Sequence, residues 1–196
     1  IQSGVAVVDT KTGAIRAVGG GRNYGTDLLL NRSKDIAGRS PGSTAKPLVA
    51  YGPAIENLKW STGHTTVDER MTYPKSNQVI SNWDGKYNGT MTIREALYTS
   101  RNVPAVKTLL EVGLDKPKQF LNNLGINIKA VYPSTTLGPE LNITPIQMAA
   151  AYAAFGNNGV FTEGHAITKI VYRDGVTEKN YAPEKKVAMS DYTAYM

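Results

Sequence analysis

The chain contains no cysteine and only two histidines. Without thiols, disulfides, thiolate metal centres and paired-cysteine redox chemistry are all excluded. His64 and His165 alone cannot furnish a histidine-built metal site, so both are expected as solvated residues and no metal or cofactor is expected. No apolar run approaches the roughly 18 residues that cross a bilayer, and no signal-peptide pattern opens the sequence. Any anchor or export signal is therefore expected outside it. The first residue is Ile1 rather than methionine, and "SDYTAYM" at the end reads as the start of a helix. A piece of a longer chain is the expectation.

A length of 196 residues suffices for one packed domain. The net charge is +6, which raises the question of a nucleic acid or an anionic surface. The basic residues are scattered, however. Lys116, Lys118, Lys185 and Lys186 read as solvated faces, and no aromatic-basic interleaving suggests a nucleic-acid platform. No nucleic-acid partner is expected, whereas an anionic polymer is compatible with the charge.

The pattern along the chain predicts mixed elements. "GVAVV" at 4–8 and "AIRAV" at 14–18, joined by "DTKTG", predict a first β-hairpin within residues 1–20. "GGGRNYG" at 19–25 lacks the G-x-G-x-x-G register and reads as a loop rather than a phosphate cradle. Ala45, Leu48, Val49, Gly52 and Ile55 recur at helical spacing, which predicts a helix over 43–57 with Pro47 in its first turn. Residues 58–90 are turn-rich and read as an excursion or lid. Thr92 with Glu95, Pro104 with Gly113, Asp115 to Leu124 before Gly125, and Thr144 with Pro145 and Gln147 then mark successive helix boundaries. A D-G turn centres a second hairpin over 166–181. Hairpins thus flank a helical region at 43–158, and the class is α+β.

The stretch "GRSPGSTAKP" carries the first candidate chemistry. A serine hydroxyl needs a neighbouring base before it becomes a nucleophile. Lys46, three residues after Ser43, emerges on the same helix face and can serve if burial or a cationic neighbour makes it neutral. The competing reading makes Ser43 a helix cap and Lys46 a solvated residue. Yet a lysine in the first turn opposes the helix dipole, so local propensity leaves it unexplained. A nucleophile elbow fails, because Pro41 and Ala45 stand where G-x-S-x-G needs glycines, and a Ser-His-Asp triad would have to borrow one of the two histidines. Ser100 and Asn102, at a junction between two predicted helices, form a second polar pair; on their own they could simply satisfy a helix end.

Taken in order, Ser-x-x-Lys at 43–46 and Ser-x-Asn at 100–102 resemble the motifs of the penicillin-binding proteins. "VVDTKTGAIRAVGG", "RSPGSTAKP", "NWDGKYNGTMTIREALYTSRNVPAVKTL" and "ITPIQMAAAYAAFGNNG" extend the resemblance over nearly the whole chain. They are most similar to the bifunctional class A members of Gram-positive bacteria. The resemblance implies the penicillin-binding protein/serine β-lactamase-like fold, an antiparallel sheet with helices, and one partial transpeptidase domain over 1–196. It implies a serine D,D-transpeptidase of peptidoglycan synthesis on the extracytoplasmic face of the membrane, with stem peptides and β-lactam antibiotics as partners. Ser43 is then the nucleophile, Lys46 its base, Ser100 a proton relay and Asn102 a hydrogen-bond partner of substrate and lysine. The Ser43 N–H would supply half of the oxyanion hole.

The family's third motif, Lys-Thr-Gly, follows the other two in sequence. Lys11, Thr12 and Gly13 precede them within the first hairpin connection and are expected to be a turn without catalytic role. The C-terminal strands are therefore expected in a remainder of the domain, possibly a separate chain, and the piece alone is expected to be inactive. Two alternatives stay open at this point: a β-lactamase or β-lactam sensor, and a non-catalytic scaffold or binding module.

Overall fold

The computed structural model describes residues 2–22, 30–35 and 37–196. The first strands, β1 (Val5–Val8) and β2 (Ile15–Gly19), pair antiparallel from Val5↔Gly19 to Val8↔Ile15. Asp9 closes their connection. Its Oδ1 accepts from the N–H groups of Lys11 at 3.1 Å and Thr12 at 2.9 Å, and from the Thr12 hydroxyl at 2.8 Å. Gly13 adopts φ +74°, and a Cβ there would lie 2.8 Å from the Glu163 carbonyl oxygen. Lys11-Thr12-Gly13 is thus bound up in turn geometry. Of the loop expected at 19–25, residues 23–25 lie outside the described residues.

The helix expected over 43–57 is present but composite. A 3-10 turn (Gly42–Ala45) leads into a π turn (Pro47–Tyr51) and then α1 (Gly52–Leu58). Pro47 and Pro53 bracket the π turn, and each withholds an N–H from the helical ladder. The Gly52 N–H instead reaches back to the Pro47 carbonyl, an i to i−5 bond. Glycine permits that approach, since a Cβ at 52 would sit 2.6 Å from the same carbonyl oxygen and 2.8 Å from Phe120 Cζ. Leu48, Val49 and Ala50 form part of the main core with Leu109, Phe120, Leu121, Leu124, Ala151 and Phe161. Burial of side chains like these, at about 1.5–3 kcal/mol each, anchors the segment that carries the candidate serine and lysine.

Residues 58–90 carry short ladders among their turns. Strand β3 (Thr65–Asp68) pairs with β6 (Gly89–Thr92), and β4 (Met71–Thr72) pairs with β5 (Val79–Ile80). Alternation in β3 buries Thr66 and Asp68. Asn82 is buried as well. Two short helices follow, α2 (Ile93–Tyr98) capped by Thr92, whose hydroxyl accepts the Glu95 N–H at 3.1 Å, and α3 (Asn102–Val112). The sequence places the start of α3 at Pro104. It opens two residues earlier because the Asn82 side chain accepts the Asn102 N–H at 2.7 Å, a cap supplied from outside the local sequence.

Helix α4 (Asp115–Asn123) ends before Gly125 at φ +75°, and α5 (Pro145–Ala153) opens on the full capping box of Thr144 and Gln147. Strand β7 (Val160–Thr162) pairs with β10 (Lys185–Val187); β8 (Lys169–Val171) and β9 (Glu178–Asn180) form the second hairpin about Asp174-Gly175. The chain closes on α6 (Asp191–Tyr195). Lys186 departs from the solvated role expected of it. Its Nζ donates to the Asn122 carbonyl at 3.1 Å and lies 5.6 Å from the centre of the Phe161 ring. The architecture is α+β, with antiparallel two-stranded ladders around a helical core.

Candidate active site

Ser43 lies within the 3-10 turn, one residue inside its start, and its side chain is exposed. It does not cap the helix. Pro41 holds the cap position without a side-chain hydrogen bond, and Thr44 Oγ1 donates to the Pro41 carbonyl at 2.7 Å. Among the described residues, no hydrogen bond engages Ser43 Oγ, so the hydroxyl is free to turn toward a bound group. The turn is braced from the far side by Tyr152, whose hydroxyl donates to the Thr44 carbonyl at 2.7 Å. Burial pushes that hydroxyl up to about 12, which keeps it protonated and donating.

Lys46, at the junction of the 3-10 and π turns, is 0% exposed. The solvated-lysine reading fails on this point. Its Nζ donates to the Ser100 carbonyl at 2.7 Å, to Ser100 Oγ at 3.1 Å and to Asn102 Oδ1 at 2.7 Å. All three partners are neutral, and among the described residues no carboxylate pairs with it. Burial, reinforced by the Arg101 charge, pulls Lys46 down from 10.5 to about 8. The Ser100 carbonyl can only accept. Asn102 is held in the same sense, because its Nδ2 donates to the Ser81 carbonyl at 2.8 Å. The Ser100 hydroxyl alone can reverse, donating to Lys46 once the amine has a lone pair.

Ser100 is presented by the end of α2. The Arg101 N–H bonds the Ala96 carbonyl at 2.8 Å and the Ser100 N–H bonds the Leu97 carbonyl at 2.9 Å, the crossed pair of a Schellman ending. Such endings favour glycine at the left-handed position. Here that position is Ser100 itself, at φ +55°.

Between Ser100 and Asn102 stands Arg101, 1% exposed. Its Nε donates to Asp68 Oδ2 at 2.8 Å, its Nη1 to Asp84 Oδ2 at 3.0 Å and its Nη2 to the Lys86 carbonyl at 2.6 Å. Asn82 Nδ2 donates to Asp68 Oδ1 and to the Lys86 carbonyl, each at 2.8 Å. Burial works against the guanidinium charge, but the hydrogen bonds to Asp84 and Asp68 outweigh it and raise its pKa.

The four residues singled out from sequence therefore divide in two. Lys46, Ser100 and Asn102 meet in one cluster, while Ser43 stands free beside it in the turn. Asp68, Asn82, Asp84, Arg101 and Tyr152 escaped the sequence reading. An arginine as the middle residue of Ser-x-Asn, with aspartates in a segment otherwise read as a lid, was the signal available. Among the described residues, no group of three or more His, Asp or Glu side chains could hold a metal ion.

The family model described as the penicillin-binding protein transpeptidase domain matches residues 3–196. The chain is 42% identical over 201 residues to penicillin-binding protein 1A/1B of Bacillus subtilis, covering 100% of the chain and 22% of the relative. It is 37% identical over 205 residues to penicillin-binding protein 1A of Streptococcus pneumoniae, covering 100% of the chain and 28% of the relative. The chain thus spans about a quarter of the length of these relatives. Among solved structures, penicillin-binding protein 1A of Haemophilus influenzae superposes with a TM-score of 0.80 at 28% identity, over 94% of this chain and 28% of that one. The imipenem acyl-enzyme of penicillin-binding protein A from M. tuberculosis also gives 0.80, at 18% identity, over 98% of this chain and 55% of that one, a likeness of fold.

Proposed function

The chain belongs to the penicillin-binding protein transpeptidase family of cell-wall synthesis, and from that premise we propose that Ser43 is the nucleophile of a D,D-transpeptidase. One observation carries the reading: a fully buried lysine, three residues from an exposed serine, is bonded only to neutral acceptors.

The neutral Lys46 amine takes the Ser43 proton as Oγ attacks the carbonyl of the penultimate D-Ala in a stem peptide. The C–O bond forms, the carbonyl oxygen becomes an oxyanion facing the Ser43 N–H, and the C–N bond to the terminal D-Ala then breaks. The leaving amine receives its proton from Lys46 through the Ser100 hydroxyl. Asn102 fixes Lys46 and is positioned to bond the substrate amide. A second stem's amine then attacks the acyl-enzyme, passes a proton back and releases Ser43, which leaves a peptide cross-link. A β-lactam enters the same path through its strained amide and stays tethered. Peptidoglycan stems and β-lactams are the partners, and the extracytoplasmic face of the membrane is the place of action. No helix among the described residues is long and apolar enough to cross a membrane.

The test is covalent labelling of the full-length protein with a fluorescent penicillin, followed by peptide mapping. The label is expected on Ser43 and is expected to disappear in Ser43→Ala while the fold persists. Equal labelling of the alanine variant would remove the assignment. Rapid hydrolysis of the adduct would instead identify a β-lactamase.

A further inference from the structure

The middle position of Ser-x-Asn is free in the motif but not in this structure. Among the described residues, Arg101 is the largest fully buried side chain, and it makes no hydrogen bond to Ser43, Lys46, Ser100 Oγ or the Asn102 side chain. Among the described residues, all its side-chain hydrogen bonds run backward into the 58–90 segment, to Asp68, Asp84 and the Lys86 carbonyl. From that same segment Asn82 accepts the Asn102 N–H and Ser81 accepts from the Asn102 amide. Three residues before Asn102, the Thr99 carbonyl accepts from the Trp83 indole at 3.1 Å. The turn that presents Ser100 and Asn102 is thereby tied at Thr99, Arg101 and Asn102 to a single support.

We propose that Arg101, with Asp68, Asp84 and Asn82, is a positioning device that holds Ser100 and Asn102 against Lys46 and sets the field at the lysine without touching substrate. This rests on the catalytic reading of Lys46 above. The charges around Lys46 argue for it. Its own segment offers no ionised partner among the described residues; the α2–α3 junction meets it with neutral Ser100 and Asn102; and among the described residues the cation acting on it is Arg101. Asp68 and Asp84 engage Arg101 directly, at 2.8 and 3.0 Å, and the guanidinium rather than either carboxylate is the charge felt at Lys46. An ordinary lysine–carboxylate pair would keep Lys46 protonated. A paired arginine fixes the geometry and opposes protonation at once.

The experiment compares the full-length wild type, Arg101→Lys, and the double variant Arg101→Met/Asp68→Asn, which removes both buried charges together. Acylation by a fluorescent penicillin is followed against pH, and Lys46 is titrated separately by NMR in protein carrying 15Nζ-lysine. In the double variant, acylation at neutral pH is expected to fall by about 10- to 100-fold, the scale of misplaced catalytic groups. Both its pH midpoint and the Lys46 titration are expected to move upward. Arg101→Lys keeps the charge and loses the fork, so its rate should fall with little movement of either midpoint. Wild-type rates and titrations in the variants overturn the proposal, as does a loss of rate in the double variant that is the same at every pH and leaves the Lys46 titration unmoved. If the double variant fails to fold, a wild-type acylation rate in Arg101→Lys overturns it equally. If the wild type is not acylated, the transpeptidase reading fails, and the Lys46 titration still decides this one.

Discussion

At the scale of the residue, the identity of Lys46 matters less than the absence of a counter-ion. A lysine beside a carboxylate is an ion pair with no basic lone pair at neutral pH, whereas this one is 0% exposed and sees only amide and hydroxyl oxygens. Its fall from 10.5 to about 8 sets a pH dependence with a definite sign. The base form is the deprotonated one, so penicillin acylation should climb with pH on approach to about 8 and flatten above it. Stopped-flow labelling between pH 6 and 9.5 reads this; a rate that falls across the same range would exclude Lys46 as base. Lys46→Arg is the companion test. A guanidinium retains its proton throughout this range, and acylation is expected to slow by roughly 100-fold or more. Near-normal acylation by the arginine variant would return Lys46 to a structural role.

At the scale of the element, the ending of α2 shows a local rule broken where chemistry needs it. A Schellman ending with serine in the left-handed position carries a penalty of about 1 kcal/mol relative to glycine. Ser100→Gly is therefore expected to raise the unfolding free energy by about that amount, and to cut acylation by about 100-fold through loss of the one partner of Lys46 among the described residues that can reverse. Chemical denaturation and labelling on the same sample read the two effects, and a destabilised variant would show that the lost Ser100 Oγ bond to Lys46 outweighs the relief of the left-handed conformation. Lys11 offers the contrast. Its motif resembles the family's third one, but Asp9 binds the backbone of Lys11 and the whole of Thr12 in a turn. Lys11→Ala should leave acylation unchanged; a large loss would relocate the third motif to this hairpin.

Legibility followed the range of the forces. Caps formed within four residues, such as Thr144 with Gln147, could be read directly, as could the hairpin about Asp174-Gly175 and the apolar spacing of Leu48, Val49 and Ile55. So could the pairing of Lys46 with Ser100 and Asn102 in one cluster, through the family resemblance of the two motifs. The π turn could not, because Pro47 and Pro53 speak only for their own missing N–H groups, and the i to i−5 bond depends on Gly52 against Phe120. Nor could the start of α3, whose cap comes from Asn82. Arg101 stayed hidden for the same reason: its partners Asp68 and Asp84 lie in a segment whose short ladders leave no strong period.

At the scale of the whole molecule, the same logic of distant side chains closing local structure recurs where the last helix meets the first. Helix α6 is short, and a helix of this length has no stability of its own. Glu56 of α1 holds it. The carboxylate accepts the Ser190 N–H at 3.1 Å, the Ser190 hydroxyl at 2.7 Å and the Thr193 hydroxyl, while Tyr192 donates to the Trp60 carbonyl at 3.0 Å. Burial works against the Glu56 charge, but the hydrogen bonds from Thr193 and Ser190 outweigh it and place the carboxyl below its ordinary 4.5. A depressed carboxylate contributes its full stabilisation above the unfolded value and loses it as pH falls through the folded one. Glu56→Gln is isosteric but replaces one accepting oxygen with a donor, and is expected to cost about 1.5–3 kcal/mol at pH 7, the range of hydrogen bonds to a charged group. The difference from wild type should shrink as the pH is lowered below 4.5, where the wild-type carboxyl also becomes neutral. Urea denaturation at pH 7 and at successively more acid values measures that difference directly. A gap that stays constant with pH would mean that packing rather than the carboxylate holds α6 in place.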